Sequence, residues 1–473
     1  MPRRQKAIIG ARKNQSLVIL DGFNTAVAAL IAYFIDPKCL KYTITSHIGR
    51  EKGHKLILDT LNLKPMLNLN LALGEAVGSS IVLKILDNIN NQFNYDDEDE
   101  FEITAMVSDI EDYDDDEFED DDSDDDDSEF EFNSYNQLFD DEDFDIEFNI
   151  YNGAGTDQRY IDEFEDDDFC VEFKKLDDSN ISVTDRTFNF YLNTMPILDK
   201  QTMQRCQDRI DNLSKPLGSL GLLEELVTQI AGISTESQPS YRLKSTLICF
   251  TDKVEETEEF KNCYEEDEDF NLDNPLVELY DASEAFNVSL TVALLTDVKD
   301  TSTAFDFGRM TAEDVSFKVP IIGISIANDI KNGEDITVEL ERLLLTSDRK
   351  LKYKADDFLR QIPKSRRNIV GSVIGAIISA AHNSSLVVVD SGAVDLIARY
   401  MEQLCPEIRP YILHSDKLFA DNEYFHEEFD GECVCIAIEI VRAALYAMAN
   451  MKTFKETGVD AAIDGIGAIR QQF

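Results

Sequence analysis

The chain has 473 residues, 43% of them hydrophobic, and a formal net charge of -50 from 94 acidic against 44 basic side chains. That apolar fraction can build at least one substantial core and excludes a wholly disordered protein, while the length allows two or three domains. The charge exceeds what a globular surface carries and is concentrated from about Tyr95 to Asp178, as in Glu119 to Asp127 where Ser123 alone interrupts the acids. Arguments from net charge therefore concern that segment and not its flanks.

In chain order, the N-terminus is basic (Arg3, Arg4, Lys6), with no apolar signal core and cleavage site after it, so a cytoplasmic protein is expected. The apolar run Leu17 to Ile35 contains Asp21 and Asn24 and opens as Leu-Val-Ile-Leu, which predicts a buried strand and then a helix over Ala26 to Phe34 rather than a membrane span. Ala7-Ile8-Ile9-Gly10-Ala11, Asn14, Ser16-Leu17-Val18 and Asp21 recur without a gap as Ala376-Ile377-Ile378-Ser379-Ala380, Asn383, Ser385-Leu386-Val387 and Asp390. Such an internal repeat predicts the same unit twice: a small-residue helix, a short polar loop, a buried strand ending in aspartate, and a second helix, at Val394 to Leu404 in the later copy. Strand and helix alternating with continuous Val/Ile/Leu runs predict an α/β fold, a doubly wound parallel sheet with helices on both faces.

Between the copies, the acidic stretch cannot bury enough apolar surface to offset the entropy of ordering it, and a disordered low-complexity linker is expected over 95–190. Its scattered phenylalanines, from Phe118 to Phe169, fit either a solvated linker or a segment that seeks a basic partner. Asn152-Gly153-Ala154-Gly155-Thr156 fails as a calcium loop, because Phe148 and Ile150 stand where carboxylates are needed and Arg159 holds the last ligand position. Beyond Thr194 the composition is globular again. An amphipathic helix is predicted over Leu222 to Ile233, strands over Leu243 to Phe250, Val288 to Leu295, Ile321 to Ile326 and Leu386 to Val389, and a long helix over Ile436 to Met451. Domains are thus expected at 1–94, a partial α/β segment, and 191–473, an α/β domain. Eight cysteines without a Cys-x-x-Cys pair predict buried free thiols.

Asn212-Leu213-Ser214-Lys215-Pro216-Leu217-Gly218-Ser219-Leu220-Gly221, running into Leu222, Leu223 and Leu226, joins a Pro/Gly turn to a helix for which Ser219 is a candidate cap. It closely resembles a motif near the start of the nicotinate-nucleotide:dimethylbenzimidazole phosphoribosyltransferases. Asp21-Gly22-Phe23, then Ser46-His47 with Glu51, Gly53 and His54, then Leu73-Gly74-Glu75-Ala76-Val77-Gly78 resemble three motifs from the last part of the same family, in the family's order. Fainter counterparts in the second copy are Asp390, His414 for the first histidine, and Gly431-Glu432; Met451-Lys452-Thr453-Phe454 with Gly458-Val459 resembles the family's closing motif.

The resemblance implies transfer of phosphoribose from nicotinate mononucleotide to a benzimidazole nitrogen, in making the lower-ligand nucleotide of cobalamin. Such a nucleophile loses an N–H proton, for which one desolvated carboxylate suffices. The resemblance gives that role to Glu75, and to Glu432 in the second copy, with small neighbours leaving room for a flat ring. It places Asp21, Gly22, His47, Gly74, Gly78, Asp252 and Asn328 at the substrates. It implies no cofactor and no metal, so His47, Glu51 and His54 are read as hydrogen-bonding rather than ligating. A homodimer follows by resemblance only, and neither nucleic acid nor membrane is an expected partner. The chain departs from the family where Ala72 and Phe429 replace an arginine three positions before each glutamate, and where Asp252-Lys253-Val254 stands for Asp-His-Gly. The alternative reading is a catalytically degenerate relative that acts by binding through its acidic segment.

Overall fold

A computed structural model describes residues 3–72, 76–93, 171–175, 185–240, 243–266, 274–295, 300–316, 319–327, 335–390, 392–420 and 430–453. The expected disorder of the acidic stretch falls largely outside the described residues.

The N-terminal unit runs α1 (Arg3–Asn14), β1 (Val18–Leu20), α2 (Phe23–Ile35), β2 (Thr43–Gly49), α3 (Lys52–Leu61), β3 (Pro65–Leu71) and α4 (Val77–Phe93). Its three strands form a parallel sheet in the order β1-β2-β3. The remainder begins with β4 (Val171–Lys175), α5 (Asp185–Thr194), α6 (Lys200–Asp211), α7 (Leu222–Ser234), β5 (Ser245–Thr251), α8 (Val254–Glu266), α9 (Pro275–Ala285) and β6 (Ser289–Leu294). It continues with α10 (Thr301–Ser316), β7 (Ile321–Ile326), α11 (Ile336–Leu344), α12 (Ala355–Gln361), α13 (Arg367–His382), β8 (Leu386–Val389), α14 (Ala393–Leu404), β9 (Ile412–His414) and α15 (Asp430–Asn450). Six parallel strands here take the order β4-β6-β5-β7-β8-β9. Every residue of β5 and β7 is buried, as expected for a sheet with helices on both faces. The α/β class expected from the sequence is the one observed.

The linker boundary moves. Residues 171–175 form the edge strand β4 beside β6, and α5 packs on α13, so the folded part begins ahead of 191. Val171-Glu172-Phe173 alternates apolar and acidic as a strand does, but in sequence it lies inside the acidic run.

The repeat is structural as well as sequential. One constant offset carries the β1–β2 pairs Val18↔Thr43, Ile19↔Ile44 and Leu20↔Thr45 onto the β8–β9 pairs Val387↔Ile412, Val388↔Leu413 and Val389↔His414. It also carries Gln15 (φ 57°) onto Ser384 (φ 63°), two non-glycine residues in the left-handed region that end α1 and α13. Each places the next amide on the helix, Ser16 N–H to Ala11 O at 2.9 Å and Ser385 N–H to Ala380 O at 3.0 Å. Pro37 and Pro406 open matching 3₁₀ turns. This register pairs His414 with Thr45, so His414 does not stand for the first histidine; Ser415 and Asp416 follow where the first copy has Ser46 and His47.

The two sheets meet along β3. Leu67 bridges Phe419 in antiparallel fashion, Asn68 N–H donates to Leu418 O at 2.8 Å, and Ala420 N–H to Met66 O at 3.0 Å. Leu67, Leu69, Leu71, Ile81, Val82 and Ile85 thereby join the main core, while Ile8, Ala26, Ala29, Ala32 and Leu58 form a smaller one of their own. Cys39, Cys206, Cys249, Cys405, Cys433 and Cys435 are buried free thiols, and burial pushes Cys249 and Cys435 up to about 12. Among the described residues no helix is long and apolar enough to cross a membrane.

Candidate active site

Around the first copy, Asp21 ends β1, His47 lies near the end of β2, and Gly78 is in the first turn of α4. The Asp21 carboxylate is buried and accepts from Ala76 N–H at 3.1 Å and Ser79 N–H at 3.0 Å, so it satisfies the open amides at the start of α4. His47 Nδ1 lies 4.0 Å from Asp21 Oδ1 and 3.0 Å from Ser46 Oγ, whose hydroxyl donates to Leu20 O at 2.9 Å. With that hydroxyl committed, the imidazole hydrogen sits on Nδ1 and donates to Ser46 Oγ. Burial, with repulsion from His54, lowers His47 to about 4 against the pull of Asp21 and Glu51, so the ring is neutral near pH 7. A Cβ on Gly78 would meet His47 Nδ1 at 2.0 Å, and only glycine lets α4 approach this closely. Gly22 caps α2, its N–H donating to Thr25 Oγ1 at 3.1 Å. His54 is wholly buried and accepts Gly49 N–H on Nδ1 at 3.0 Å.

Gly74 and Glu75 lie outside the described residues, as does Asn328. Both flanks of residues 73–75 are nevertheless fixed: Ala76 N–H is held by Asp21, and Ala72 N–H donates to Ser219 O at 2.8 Å. Ser219 belongs to the Lys-Pro-Leu-Gly-Ser-Leu-Gly turn, so two motifs far apart in sequence meet here. That turn is shaped by the buried Lys215–Glu224 ion pair at 2.8 Å, with Glu224 also accepting Leu220 N–H at 2.9 Å. Gly221 (φ 55°) is the N-cap of α7, and a Cβ there would lie 2.3 Å from Asn70 O of β3. Ser219 therefore does not cap the helix: Glu224, in the first turn, reaches back to the chain ahead of it.

The second constellation lies at the carboxyl ends of the six-stranded sheet. The connection after β5 leads to one side, to β6, and that after β7 to the other, to β8, so the switch point of the sheet falls between β5 and β7. Ligands of open α/β sheets bind outside such a point. Asp252 follows β5 and is half-buried there; Asn328 follows β7 in sequence. A Cβ on Gly431 would lie 3.6 Å from Ser325 Oγ, which places the first turn of α15, and Glu432 with it, beside the end of β7. Burial, with Glu278 and Asp281 adding repulsion, raises Glu432 to about 7; burial, with repulsion from Glu284 and Glu278, raises Asp281 to about 6.

Asp390, unlike Asp21, turns onto its own following helix, accepting from Gly392 N–H at 2.9 Å and Val394 N–H at 3.2 Å. His414 is held between Asp395 Oδ1 at 2.5 Å and Glu402 Oε1 at 3.1 Å; burial lowers its pKa, but the two carboxylates outweigh it and the net shift is upward. Asp395, His414 and Asp416 are close enough to hold a metal ion, yet Arg399 bonds both carboxylates, at 2.5 and 2.8 Å, and already supplies a cation. This network was missed in the sequence, where the Asp395–Arg399 spacing of one helical turn was its only signal.

A parallel α/β fold is what the motifs led one to expect, and the sequence model of the phosphoribosyltransferase family matches residues 6–94 and 195–260. Curated relatives carry the finer description: the nicotinate-nucleotide–dimethylbenzimidazole phosphoribosyltransferase of Vibrio atlanticus is 41% identical over 78 residues, 16% of this chain and 23% of that protein. The protein of the same name from Clostridioides difficile is 43% identical over 83 residues, 18% of this chain and 24% of its own length. The chain thus spans about a quarter of the relatives it matches. A crystal structure of the Thermus thermophilus protein of that name aligns with 56% of this chain and 99% of its own, at 14% identity and a TM-score of 0.39. The resemblance read from the motifs is borne out for the two matched stretches.

Proposed function

We propose that the chain is a phosphoribosyltransferase that moves the phosphoribosyl group of nicotinate mononucleotide to a benzimidazole nitrogen, the chemistry of cobalamin lower-ligand nucleotide synthesis. The observation that carries this reading is the meeting of the two matched stretches at residues 73–75, with Ala72 bonded to Ser219 and Ala76 to Asp21. In the reaction the azole nitrogen bonds to C1′ of the ribose, the bond to nicotinate breaks with its electron pair leaving on nicotinate, and a carboxylate takes the azole proton. Glu75 has that role. His47, neutral and buried, keeps the start of α4 against the ends of β1 and β2 and adds no charge of its own. Asp21, with both oxygens on backbone amides, supports the turn rather than the substrate; Asp252 follows β5 at the switch point of the sheet.

A second reading assigns the base to Glu432, favoured by a pKa near 7, where a general base works best at neutral pH. Incubation of the purified protein with nicotinate mononucleotide and 5,6-dimethylbenzimidazole should release nicotinate. If no benzimidazole supports turnover and calorimetry detects no nucleotide binding, the degenerate binding protein takes the place of the enzyme.

A further inference from the structure

At the carboxyl end of the three-stranded sheet a held cation faces no anion of the chain. Arg50 follows β2; its amide donates to Leu71 O, at the end of β3, at 3.0 Å, and its side chain is exposed. Nε donates to Asn70 Oδ1 at 3.2 Å, and Nη1 is 3.9 Å from where a Cβ on Gly218 would lie. Asn70 is itself fixed: its backbone is left-handed (φ 53°), and its carbonyl is the group against which Gly221 packs. One N–H of the guanidinium thus orients the group, and the Nη atoms are presented at the Gly218 turn. Among the described residues Arg50 forms no ion pair. Glu51, next in the chain, sets its Oε2 against Gly49 beside His54, and Lys215 and Glu224 neutralise each other within the turn.

Ser219 supplies a second, independent observation. It is 1% exposed, its carbonyl accepts Ala72 N–H, and its Oγ finds no hydrogen-bond partner. A buried hydroxyl of this kind is uncommon and lowers stability unless something else satisfies it. We infer that Arg50 and Ser219 bind one anionic group of nicotinate mononucleotide, its carboxylate or its phosphate. The planar guanidinium matches two oxygens of either group, and the Ser219 hydroxyl donates to one of them. Neither residue makes or breaks a bond; both position the nucleotide while the azole attacks. Asn70 and the bond to Leu71 hold Arg50 in place beforehand, which reduces the entropy lost on binding. Arg50 comes from one matched stretch and Ser219 from the other, so the subsite exists only where the two meet. The inference rests on the phosphoribosyltransferase reading for the identity of the ligand.

Calorimetry of nicotinate mononucleotide binding, paired with nicotinate-release kinetics on the full chain, tests it. Arg50→Gln should weaken binding and raise KM by roughly 10- to 100-fold with kcat little changed, as expected when a charge-assisted contact is lost equally from ground and transition states. Arg50→Lys keeps the charge but not the fork and should fall between. Ser219→Ala should weaken binding by roughly tenfold while urea unfolding stays unchanged or shifts to higher urea, because the fold gives that hydroxyl no partner to lose. Nicotinamide mononucleotide lacks the carboxylate and nicotinate riboside lacks the phosphate; the Arg50→Gln penalty should vanish for whichever lacks the group held. A penalty equal for all three ligands overturns the inference, as does a fall in kcat at unchanged KM. Wild-type turnover that Arg50→Gln leaves untouched removes the subsite alone. Absence of nucleotide binding by the wild type removes both the subsite and the enzyme. Binding without turnover, weakened in Arg50→Gln, keeps the subsite and removes the chemistry.

Discussion

The two copies of the repeat share a backbone path and little else, and the difference lies in what covers them. α13 is buried along most of its length, whereas its counterpart α1 carries Arg4, Lys6 and Lys13 into solvent. His47 is buried among few compensating charges and its pKa falls, while His414 is buried between two carboxylates and its pKa rises. The aspartate that ends the strand reaches across to α4 in the first copy and turns back onto α14 in the second. One skeleton thus anchors a distant helix, α4, in one copy and only its own following helix, α14, in the other.

The largest expected effect would break this division of labour. Glu75→Gln should lower turnover by roughly 10²- to 10⁴-fold, the usual contribution of a positioned base, or about 3 to 5 kcal/mol of barrier, with folding intact. Glu432→Gln should be nearly silent in the same nicotinate-release assay. The reverse result would make the second copy the active one and the first a remnant. Next comes the contact that joins the first copy to the rest. Lys215→Met leaves Glu224 buried without its cation and should cost about 3 to 5 kcal/mol in urea unfolding, because breaking a buried pair strands a charge. Lys215→Met/Glu224→Met should recover much of the loss; equal instability of the single and double variants would show that the pair is not what shapes the turn.

Acid and base should weaken the two copies oppositely. His47 titrates near 4 when folded against 6.5 when unfolded, so between these values the unfolded chain binds more protons. Acidification from pH 6.5 to 4 therefore costs stability, at most roughly 3 kcal/mol. Glu432 titrates near 7 when folded against 4.5, so its protonated form favours the fold and stability falls as pH rises from 4.5 to 7. That loss is also at most roughly 3 kcal/mol, and smaller because the group is half-buried. Glu432→Gln should abolish it, making the variant more stable than wild type above pH 7 and equal to it below pH 4.5. A flat difference across this range would contradict the assignment.

The smallest effect sharpens the comparison. Gln15→Gly and Ser384→Gly each place glycine where the backbone is left-handed, and each should stabilise by up to about 1 kcal/mol. Matching gains in thermal unfolding would confirm equivalent strain, and a gain in one copy alone would show that the backbones have diverged.

Much of this was legible in the sequence because burial leaves a continuous apolar record. The strands Ile321–Ile326 and Leu386–Val389 were placed to the residue, and the repeat predicted the paired β-α units. β4 was not legible, since its five residues share the acidity of their neighbours and only the edge of β6 makes them a strand. Motifs single out Asp21, His47 and Gly78 as candidates, but that Asp21 serves backbone amides depends on where α4 starts. The partners of His414 were hidden for a similar reason: Glu402 and Asp395 lie two helical turns apart, and only folding sets the ring between them.

The bond between Ala72 and Ser219 has a consequence for the order of the genetic message. A stretch that resembles the end of a family's sequence stands first in this chain, and one that resembles its beginning stands later, yet the two touch. Residues far apart in the linear text are thus joined backbone to backbone, so the neighbourhood of residues 73–75 is written in two places of the message and can be altered from either.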